Sequence, residues 1–268
     1  MDLGLPFLAS RPTVPVIRLQ GAILAGGRGL DDCSLAPVIE RAFARGKPAA
    51  VALEINSPGG SPVQSSLIAA RIRRLADEKG IPVLAFVEDV AASGGYWLAC
   101  AADEIFVDRA SVVGSIGVIS AGFGLQDAIA RIGVERRVHT AGRSKSQLDP
   151  FRPEQPEDVA RLEAILAQMH NVFIDHVKSR RGARLGDNPD LFTGEIWLGE
   201  QAVAEGLVDG IGHLAPVLRA RFGDRLRIRR MGVRRSLWRR FGMGLSSGLA
   251  AGLADELEER ALLARYGL

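Results

Sequence analysis

The chain has 268 residues and a mass of 28.7 kDa, with 47% hydrophobic and 24% charged residues. Its high apolar content and its lack of heptads or low-complexity tracts exclude the disordered, collagen-like and coiled-coil classes. Its two cysteines, Cys33 and Cys100, are too few and too distant in sequence for a disulfide framework or a zinc site, so we expect a reducing compartment.

No stretch reaches the roughly 18 to 20 apolar residues that a membrane span needs. The uncharged stretch at residues 3–10 is too short, and too interrupted by proline, for a signal peptide. We therefore expect a soluble, cytoplasmic protein with neither a signal peptide nor a transmembrane segment.

The net charge of +3 is concentrated in one segment, because residues 221–240 contain nine arginines and a single acid, Asp224. We expect residues 1–220 to form one globular domain and residues 221–268 to form a basic, glycine-containing helical tail. The basic segment is compatible with peripheral contact at the inner membrane, with a subunit contact or with a solvated tail. Nucleic-acid binding is not expected, since no recognition fold accompanies the charge. The arginines that would contact a membrane are Arg229, Arg230, Arg234, Arg235, Arg239 and Arg240.

Strand-like and helix-like segments alternate along the first half of the chain. Strands are predicted at residues 14–19, 49–55, 83–87, 105–107, 116–120 and 134–140. Helices are predicted at residues 31–44, 62–78, 95–102, 125–132, 155–178, 198–205 and 213–221. This alternation with short connections predicts an α/β fold, in which helices flank a mostly parallel sheet built from right-handed βαβ units.

Sites in such sheets lie at the carboxyl ends of the strands. Two loops that are rich in glycine and small polar residues occupy this position, at residues 56–61 and 89–96. Because they follow consecutive strands, we expect them to face one cleft.

Ser93 follows a predicted buried strand and precedes a predicted helix. Its hydroxyl could there be presented at the sheet edge, beside the backbone N–H groups of a helix N-terminus. The alternative is that Ser93 only caps the helix, as serines at such positions often do. In the other loop, Gly59 and Gly60 can bring backbone N–H groups close to a bound group, as an oxyanion hole requires, although an ordinary turn has the same composition.

A nucleophilic serine needs a general base, and lysine is favoured over histidine here. His139 closes a predicted strand and keeps a Ser–His arrangement open as the weaker option, whereas His170 and His176 lie in the long predicted helix. Lys145 stands in a predicted loop, in a chain that has only three other lysines and uses arginine for nearly every other cation. Only lysine can lose its proton near neutral pH, given desolvation in a cleft. The alternative for Lys145 is a solvated loop residue.

Four motifs in this order resemble the signal peptide peptidase A family of serine peptidases, including its SohB-like members. They are Asn-Ser-Pro-Gly-Gly at 56–60, Ala-Ser-Gly-Gly-Tyr at 92–96, Gly-Ser-Ile-Gly-Val at 114–118, and Gly-x-x-Lys followed by Asp-Pro-Phe-Arg at 142–152. The resemblance runs from about residue 15 to residue 212. It implies a Clp-protease/crotonase-type fold, a Ser-Lys dyad, no metal or organic cofactor, and a ring-like homo-oligomer.

Carried over onto this sequence, the resemblance makes Ser93 the nucleophile and Lys145 the general base. It implies that Ser115 hydrogen-bonds the lysine amine. The N–H groups of Gly59 or Gly60, and of Gly94, would stabilise the oxyanion.

The function expected from this resemblance is that of an endopeptidase that cleaves apolar or unstructured peptides, such as remnant signal peptides, through an acyl-enzyme. Two alternatives stay open at this stage, namely a crotonase-like acyl-CoA enzyme and a non-catalytic peptide-binding homologue. The sequence also departs from the best-known members of the family, which begin with a membrane-spanning helix.

Overall fold

The structure, a computed structural model, describes residues 11–26, 29–44, 46–232 and Tyr266. The chain divides into two compact units. Unit 1 comprises the described residues up to Ile116 and those from His176 onward, and unit 2 comprises Gly117–Asp175.

The strands of the described residues form one sheet within unit 1. They are β1 (Thr13–Gln20), β2 (Val51–Ser57), β3 (Val83–Ala92), β4 (Glu104–Val107), β5 (Val112–Gly114), β6 (Ile196–Leu198), β7 (Gly210–Ile211) and β8 (Arg227–Met231). The spatial order is β6-β5-β3-β2-β1-β8, with β4 pairing with β3 and with β7. Among the strand pairs of the described residues, only β5–β6 is antiparallel, so the predicted α/β class with a mostly parallel sheet is confirmed.

Seven α-helices are present in the described ranges. They are α1 (Asp32–Ala44), α2 (Pro62–Lys79), α3 (Gly94–Ala99), α4 (Gln126–Arg131), α5 (Pro156–Arg181), α6 (Gly199–Ala204) and α7 (Leu214–Phe222). Two short 3-10 helices, Gly182–Arg184 and Pro189–Phe192, follow α5. Each α-helix overlaps a predicted one.

Local signals at both ends fix the helix that follows the Gly59–Gly60 turn. The hydroxyl of Ser61 caps α2 by accepting the N–H of Gln64, and Pro62 occupies the first helical position. Gly80 ends the helix in the left-handed conformation at φ 61°. The direction in which the chain leaves the glycine turn is therefore set by the sequence next to it.

The strands that carry the two loops run through the core of unit 1. Helix α1 packs against β1, while α3 packs against β2, β3 and α2. Alternate side chains of the central strands pack beneath α7 in one cluster, which consists of Val14, Val16, Ala50, Ala52, Leu84, Phe86 and Leu218. Burial on both faces explains why the central strands are almost continuously apolar.

Unit 2 contains α4, the first part of α5 and the loop between them. Phe173 is the only side chain of residues 117–175 that is buried. Phe123 is 85% exposed and Ile132 is 74% exposed. Unit 2 therefore has almost no core of its own within this chain.

The predicted strands at 116–120 and 134–140 are wrong, since no strand lies within residues 117–175. At the first of them, Gly114 and Ser115 have φ values of 97° and 50°. Two consecutive residues with positive φ turn the chain out of the ladder, so β5 ends at Gly114. At the second, the side chains are exposed or nearly so, and no neighbouring strand lies within unit 2 to pair with them.

The boundary of the basic tail also differs from the prediction. Arg221 belongs to α7, and residues 227–231 form β8, which pairs in parallel with β1. Ile228 packs against the α7 cluster, while Arg230 Nη2 donates to Glu54 Oε1 at 2.9 Å. Only Ile228 and Met231 of these five residues are apolar, and they do not alternate, so the segment has no strand-like hydropathy pattern.

Apart from Tyr266, the predicted tail beyond residue 232 lies outside the described residues. This includes four of the six arginines considered for membrane contact, Arg234, Arg235, Arg239 and Arg240. Among the helices of the described ranges, none combines the length and the apolar character that crossing a bilayer would demand.

A buried ion pair ties the end of α5 to the sheet, and its loss should be costly. Arg181 is 2% exposed and forms two hydrogen bonds to Asp209, at 2.7 and 3.1 Å. We expect Asp209→Ala to lower the free energy of unfolding by about 3 to 5 kcal/mol, because it leaves a buried guanidinium unpaired. Glu78→Ala, which breaks an exposed pair with Arg74, should cost about 0.5 kcal/mol or less in the same urea titration.

The same pair predicts a pH dependence. Burial raises the pKa of Asp209, but hydrogen bonds from Arg181 and from the Ile105 N–H outweigh it and hold the pKa below its usual value. A depressed carboxyl pKa stabilises the fold above about pH 4, and this stabilisation is lost as the pH falls through the folded-state pKa. The difference between the wild type and Asp209→Ala should therefore shrink in acid, and a constant difference down to pH 2 would contradict this account.

Candidate active site

Ser93 lies at the junction between β3 and α3, in a backbone conformation that serine rarely adopts. Its φ is 52° and its ψ is −121°. It stands at the N-cap of α3, but its side chain makes no capping hydrogen bond. The helix-cap alternative for Ser93 is therefore not what the structure shows. A strained backbone at an uncommitted hydroxyl is a feature of functional sites.

Backbone contacts on both sides hold this strained residue. The Ser93 N–H donates to Gly114 O at 2.9 Å, and Ser93 O accepts the Trp97 N–H at 3.0 Å. Every residue of α3 is buried, and the Tyr96 hydroxyl within it donates to Leu207 O at 2.6 Å. Ser93 is thus attached to a rigid helix and to the neighbouring strand.

The glycine turn after β2 packs directly against Ser93. A Cβ added at Gly59 would lie 2.7 Å from Ala92 O, 2.7 Å from Gly94 N and 2.9 Å from Ser93 Cβ. A Cβ added at Gly94 would lie 2.4 Å from Ser65 Oγ and 3.3 Å from Gly60 N. The structure therefore brings Gly59, Gly60, Ser93 and Gly94 together, as the sequence predicts.

The two turn glycines differ in how their N–H groups are used. The Gly59 N–H donates to Ser57 Oγ at 3.3 Å. For the Gly60 N–H, no acceptor occurs among the hydrogen bonds of the described residues. The Gly94 N–H is the first of α3, which leaves it without an acceptor inside its own helix. Unlike Gly59, Gly60 and Gly94 therefore have N–H groups for which the described residues provide no hydrogen-bond acceptor.

Two serines that the sequence analysis did not single out support this turn. Ser57 is fully buried, and its hydroxyl donates to Gly21 O at 2.7 Å while it accepts the Gly59 N–H. Ser65, also fully buried, donates to Ser61 O and packs against Gly94. Ser57 ends an apolar strand and Ser65 lies on the buried face of α2, where the hydropathy pattern favours apolar residues. A polar residue at an apolar position is the only feature of the sequence that could have identified them.

Ser115 follows directly after the residue whose carbonyl holds Ser93. Its N–H donates to Glu195 O at 2.7 Å, and its hydroxyl accepts a hydrogen bond from the Tyr266 hydroxyl at 3.3 Å. Tyr266 packs beside an apolar strip formed by Val90, Ala92 and Val112. A serine hydroxyl can donate one hydrogen bond and accept two, so Ser115 can bind a second partner besides Tyr266.

Lys145 lies in unit 2, on the exposed loop between α4 and α5. Its N–H donates to Gly142 O at 3.2 Å. Downstream in the same loop, Asp149 accepts the Phe151 N–H at 3.1 Å and contacts Arg136 Nε at 3.3 Å. The backbone N–H of Phe151, assisted by Arg136, lowers the pKa of Asp149. The pairing of Lys145 with Ser93 stays a prediction.

The histidines of unit 1 have other partners. His176 stacks on Trp97 with ring centroids 4.4 Å apart, its Nε2 lies 3.2 Å from Trp97 O, and burial lowers its pKa. His213 Nε2 lies 2.8 Å from Asp108 Oδ2. His139 and His170 belong to unit 2. No three His, Cys, Asp or Glu side chains in the described part of the chain are grouped so as to hold a metal ion.

Comparison with known proteins gives one family and several relatives. Residues 76–221 match peptidase family S49. The Na(+)/H(+) antiporter NhaA of Brucella melitensis is 50% identical over 278 residues, which cover 98% of this chain and 38% of that protein. The chloroplastic serine protease SPPA of Arabidopsis thaliana is 31% identical over 201 residues, which cover 75% of this chain and 29% of that protein. The chain thus spans less than two fifths of the length of these relatives.

Solved structures of one protease share the fold. The 1510-N membrane-bound stomatin-specific protease, with a lysine replaced by alanine and a substrate peptide bound, aligns with a TM-score of 0.55 and 15% identity, covering 92% of this chain and 99% of that one. The same protease with a serine replaced by alanine gives a TM-score of 0.52 and 16% identity. The predicted fold is confirmed.

The tight contact between Gly59 and Ser93 gives a prediction about stability. Gly59→Ala should lower the free energy of unfolding by about 3 kcal/mol, because a Cβ would overlap two backbone atoms and because φ is 100°. Gly26→Ala is the matched control, since Gly26 has φ 90° with nothing within 4 Å of an added Cβ. Its cost should stay near 1 to 2 kcal/mol. Equal losses in denaturant titrations would contradict the close packing of the turn on Ser93.

Proposed function

The chain belongs to peptidase family S49, and we propose that it is a serine peptidase that cleaves peptide bonds with Ser93 as nucleophile and Lys145 as general base. The observation that carries this proposal is the strained turn at Ser93. The Ser93 hydroxyl makes no capping hydrogen bond and lies beside the glycine turn that includes Gly60. Together, a held nucleophile and available donors meet the first needs of acyl transfer.

The lysine assignment rests on sequence and on relatives. Lys145 follows Gly142 by three residues and is followed by Asp-Pro-Phe-Arg at 149–152, as in the family motif. The structural neighbours with a lysine or a serine replaced by alanine, the former with a substrate peptide bound, support a role for these two residue types. Ser115 is the proposed partner of the lysine amine, because its hydroxyl can form a second hydrogen bond besides the contact with Tyr266.

In the proposed reaction, neutral Lys145 accepts the proton of Ser93 as Oγ attacks the carbonyl carbon of the peptide. The carbonyl oxygen becomes negatively charged and is held by the N–H groups of Gly60 and Gly94. The lysine ammonium then donates its proton to the leaving amine as the C–N bond breaks, which leaves an acyl-enzyme on Ser93. Water, deprotonated by the same lysine, hydrolyses the ester and regenerates the serine.

The proposed substrates are apolar or unstructured peptides, including remnant signal peptides. The apolar strip of Val90, Ala92 and Val112 adjoins the Ser93 turn, and the part-buried side chain of Tyr266 packs on it. A strip that accepts an aromatic side chain suits apolar residues of an extended peptide. A folded protein would not present its backbone in this way.

We also propose a cytoplasmic location with peripheral membrane contact. Both described arginines of the predicted contact, Arg229 and Arg230, are exposed, but Arg230 is paired with the buried carboxylate of Glu54. Arg229 is therefore the described residue that can contribute most to attraction by anionic lipids.

Homo-oligomer formation is a further part of the proposal, and unit 2 supports it. Ile119, Phe123, Ile132 and Val134 are 64%, 85%, 74% and 52% exposed. Exposed apolar side chains at this density are typical of a surface that another chain covers. A second copy of this chain is the partner that the family resemblance implies.

The dyad is tested by substitution together with active-site labelling. Ser93→Ala and Lys145→Ala should each reduce the hydrolysis of an unfolded or apolar peptide by at least about a thousandfold, since the first removes the nucleophile and the second removes the base that activates it. Lys79→Ala, at the exposed end of α2, should leave the activity within about twofold. A fluorophosphonate probe should label the wild type and not Ser93→Ala. Activity that survives both substitutions, with thermal unfolding unchanged, would exclude the dyad.

The proposed assembly is tested by analytical ultracentrifugation. The wild type should sediment at a multiple of 28.7 kDa. Phe123→Glu should shift the population towards the monomer, because it places a charge in the proposed contact. Val63→Glu is the control, since Val63 is 64% exposed but lies on α2 in unit 1. A wild type that is monomeric at all concentrations contradicts the proposal.

A further inference from the structure

Strands β2 and β3 lose their register just before Ser93. Ile55 faces Val87 and Ser57 faces Ala91, so two steps along β2 correspond to four steps along β3. The extra residues of β3 form a bulge centred on Glu88 and Asp89. Bulges bend a strand and change the direction of the residues that follow, and Ser93 is four residues beyond Asp89.

The side chain of Asn56 replaces the hydrogen bonds that the ladder lacks at this bulge. Asn56 Oδ1 accepts the Val90 N–H at 3.3 Å, and Asn56 Nδ2 donates to Asp89 Oδ2 at 2.6 Å. One amide group thus binds both the backbone and a carboxylate of the bulged segment. We call these contacts of Asn56 with Asp89 and Val90 the bulge clamp.

The other side of the bulge is fastened independently of this clamp. At this point β3 exchanges its neighbour, pairing with β4 up to Val87 and with β5 from Val90. The buried hydroxyl of Ser111 donates to Glu88 O, with Val87 O at 3.4 Å, and accepts the Asp108 N–H. The bulge is therefore a constructed feature of the sheet rather than a local irregularity.

We propose that Asn56 and Asp89 are positioning residues that set the distance between the Ser93 hydroxyl and the Gly60 N–H. Asn56 is four residues before Gly60, and Asp89 is four residues before Ser93. The clamp therefore connects the two loops at the same number of residues before each proposed functional group. This inference rests on the proposed role of Ser93 as nucleophile.

The exposure of the clamp argues for a role in position rather than in global stability. Asp89 is exposed and Asn56 is half-buried, and a hydrogen bond in such a place contributes little to the free energy of unfolding. A displacement of about 1 Å between reacting groups, in contrast, can reduce the rate by about a hundredfold. Loss of the clamp should consequently affect the reactivity of Ser93 much more than unfolding.

The test exchanges the two side chains of the clamp. Asn56→Asp removes the donor and places two carboxylates together, whereas Asp89→Asn keeps an acceptor for Asn56. In the double variant Asn56→Asp/Asp89→Asn, the new amide at 89 can donate to the new carboxylate at 56, which can still accept the Val90 N–H. The rate of fluorophosphonate labelling at Ser93, kcat and KM for an apolar peptide, and thermal unfolding are measured for each.

For Asn56→Asp, we expect the labelling rate and kcat to fall at least about tenfold with little change in KM. For Asp89→Asn, both should stay within about threefold of the wild-type values. In the double variant, both should return to the values of Asp89→Asn. Asn188→Asp is the matched control, because Asn188 Nδ2 donates to Glu205 Oε1 at 2.9 Å, in a pair outside β2 and β3. It should unfold more easily without slower labelling. Asn56→Ala, which adds no charge, should also label slowly, and serves if Asn56→Asp does not fold.

Each adverse outcome has a distinct meaning. If the wild type is not labelled at Ser93, the nucleophile assignment falls, and this inference falls with it. If the wild type is labelled but Asn56→Ala or Asn56→Asp reacts at the wild-type rate, the clamp has no positioning role while the proposed function stands. A double variant that is labelled as slowly as folded Asn56→Asp would likewise contradict the positioning role of the clamp.

Discussion

The arrangement at the carboxyl edge of the sheet depends on keeping one serine in a backbone conformation with positive φ. Ser93 has φ 52°. This conformation is stabilised because the Ser93 N–H donates to Gly114 O and the Ser93 carbonyl accepts the Trp97 N–H in the first turn of α3. A non-glycine residue held in such a sparsely populated region of φ and ψ costs about 1 to 3 kcal/mol. The cost is met by the wholly buried α3 helix and by the β3–β5 pairing, so the site is inseparable from the core of unit 1.

Close approach of backbone to backbone is the second constraint, and it follows from the first. The sharp turn at Ser93 brings the start of α3 against the turn after β2, where Gly59, Gly94 and Gly95 have no room for a side chain. Buried hydroxyls fill the small spaces that are left, as Ser57 and Ser65 do. The lack of side chains leaves the N–H of Gly60 available, which is why glycine and serine dominate this region.

The sequence predicts the parts of this structure that depend on local or periodic signals. The central strands are continuous apolar runs, and α2 has a cap at each end, so both were predicted within a few residues. The predicted β3 is too short because Glu88 and Asp89 interrupt its apolar run, and β8 is not predicted because only two of its five residues are apolar and they do not alternate. The loops that bear the glycines and Ser93 were predicted from composition, whereas the register shift opposite Asn56 depends on pairing between distant segments and has no local signature.

The contrast between the two units bears on the proposed base and on the proposed assembly. Ser93 is attached to elements that are almost fully buried, while Lys145 belongs to 59 residues in which Phe173 alone is buried. A segment of that length cannot offset its conformational entropy with so little apolar burial, and its exposed Phe123 and Ile132 remain in contact with water unless another surface covers them. A homo-oligomer would supply that surface. If the chain functions as proposed, an ordered lysine loop and the assembly of the oligomer therefore depend on the same apolar side chains of unit 2. The proposed nucleophile and oxyanion donors, in contrast, all lie in unit 1.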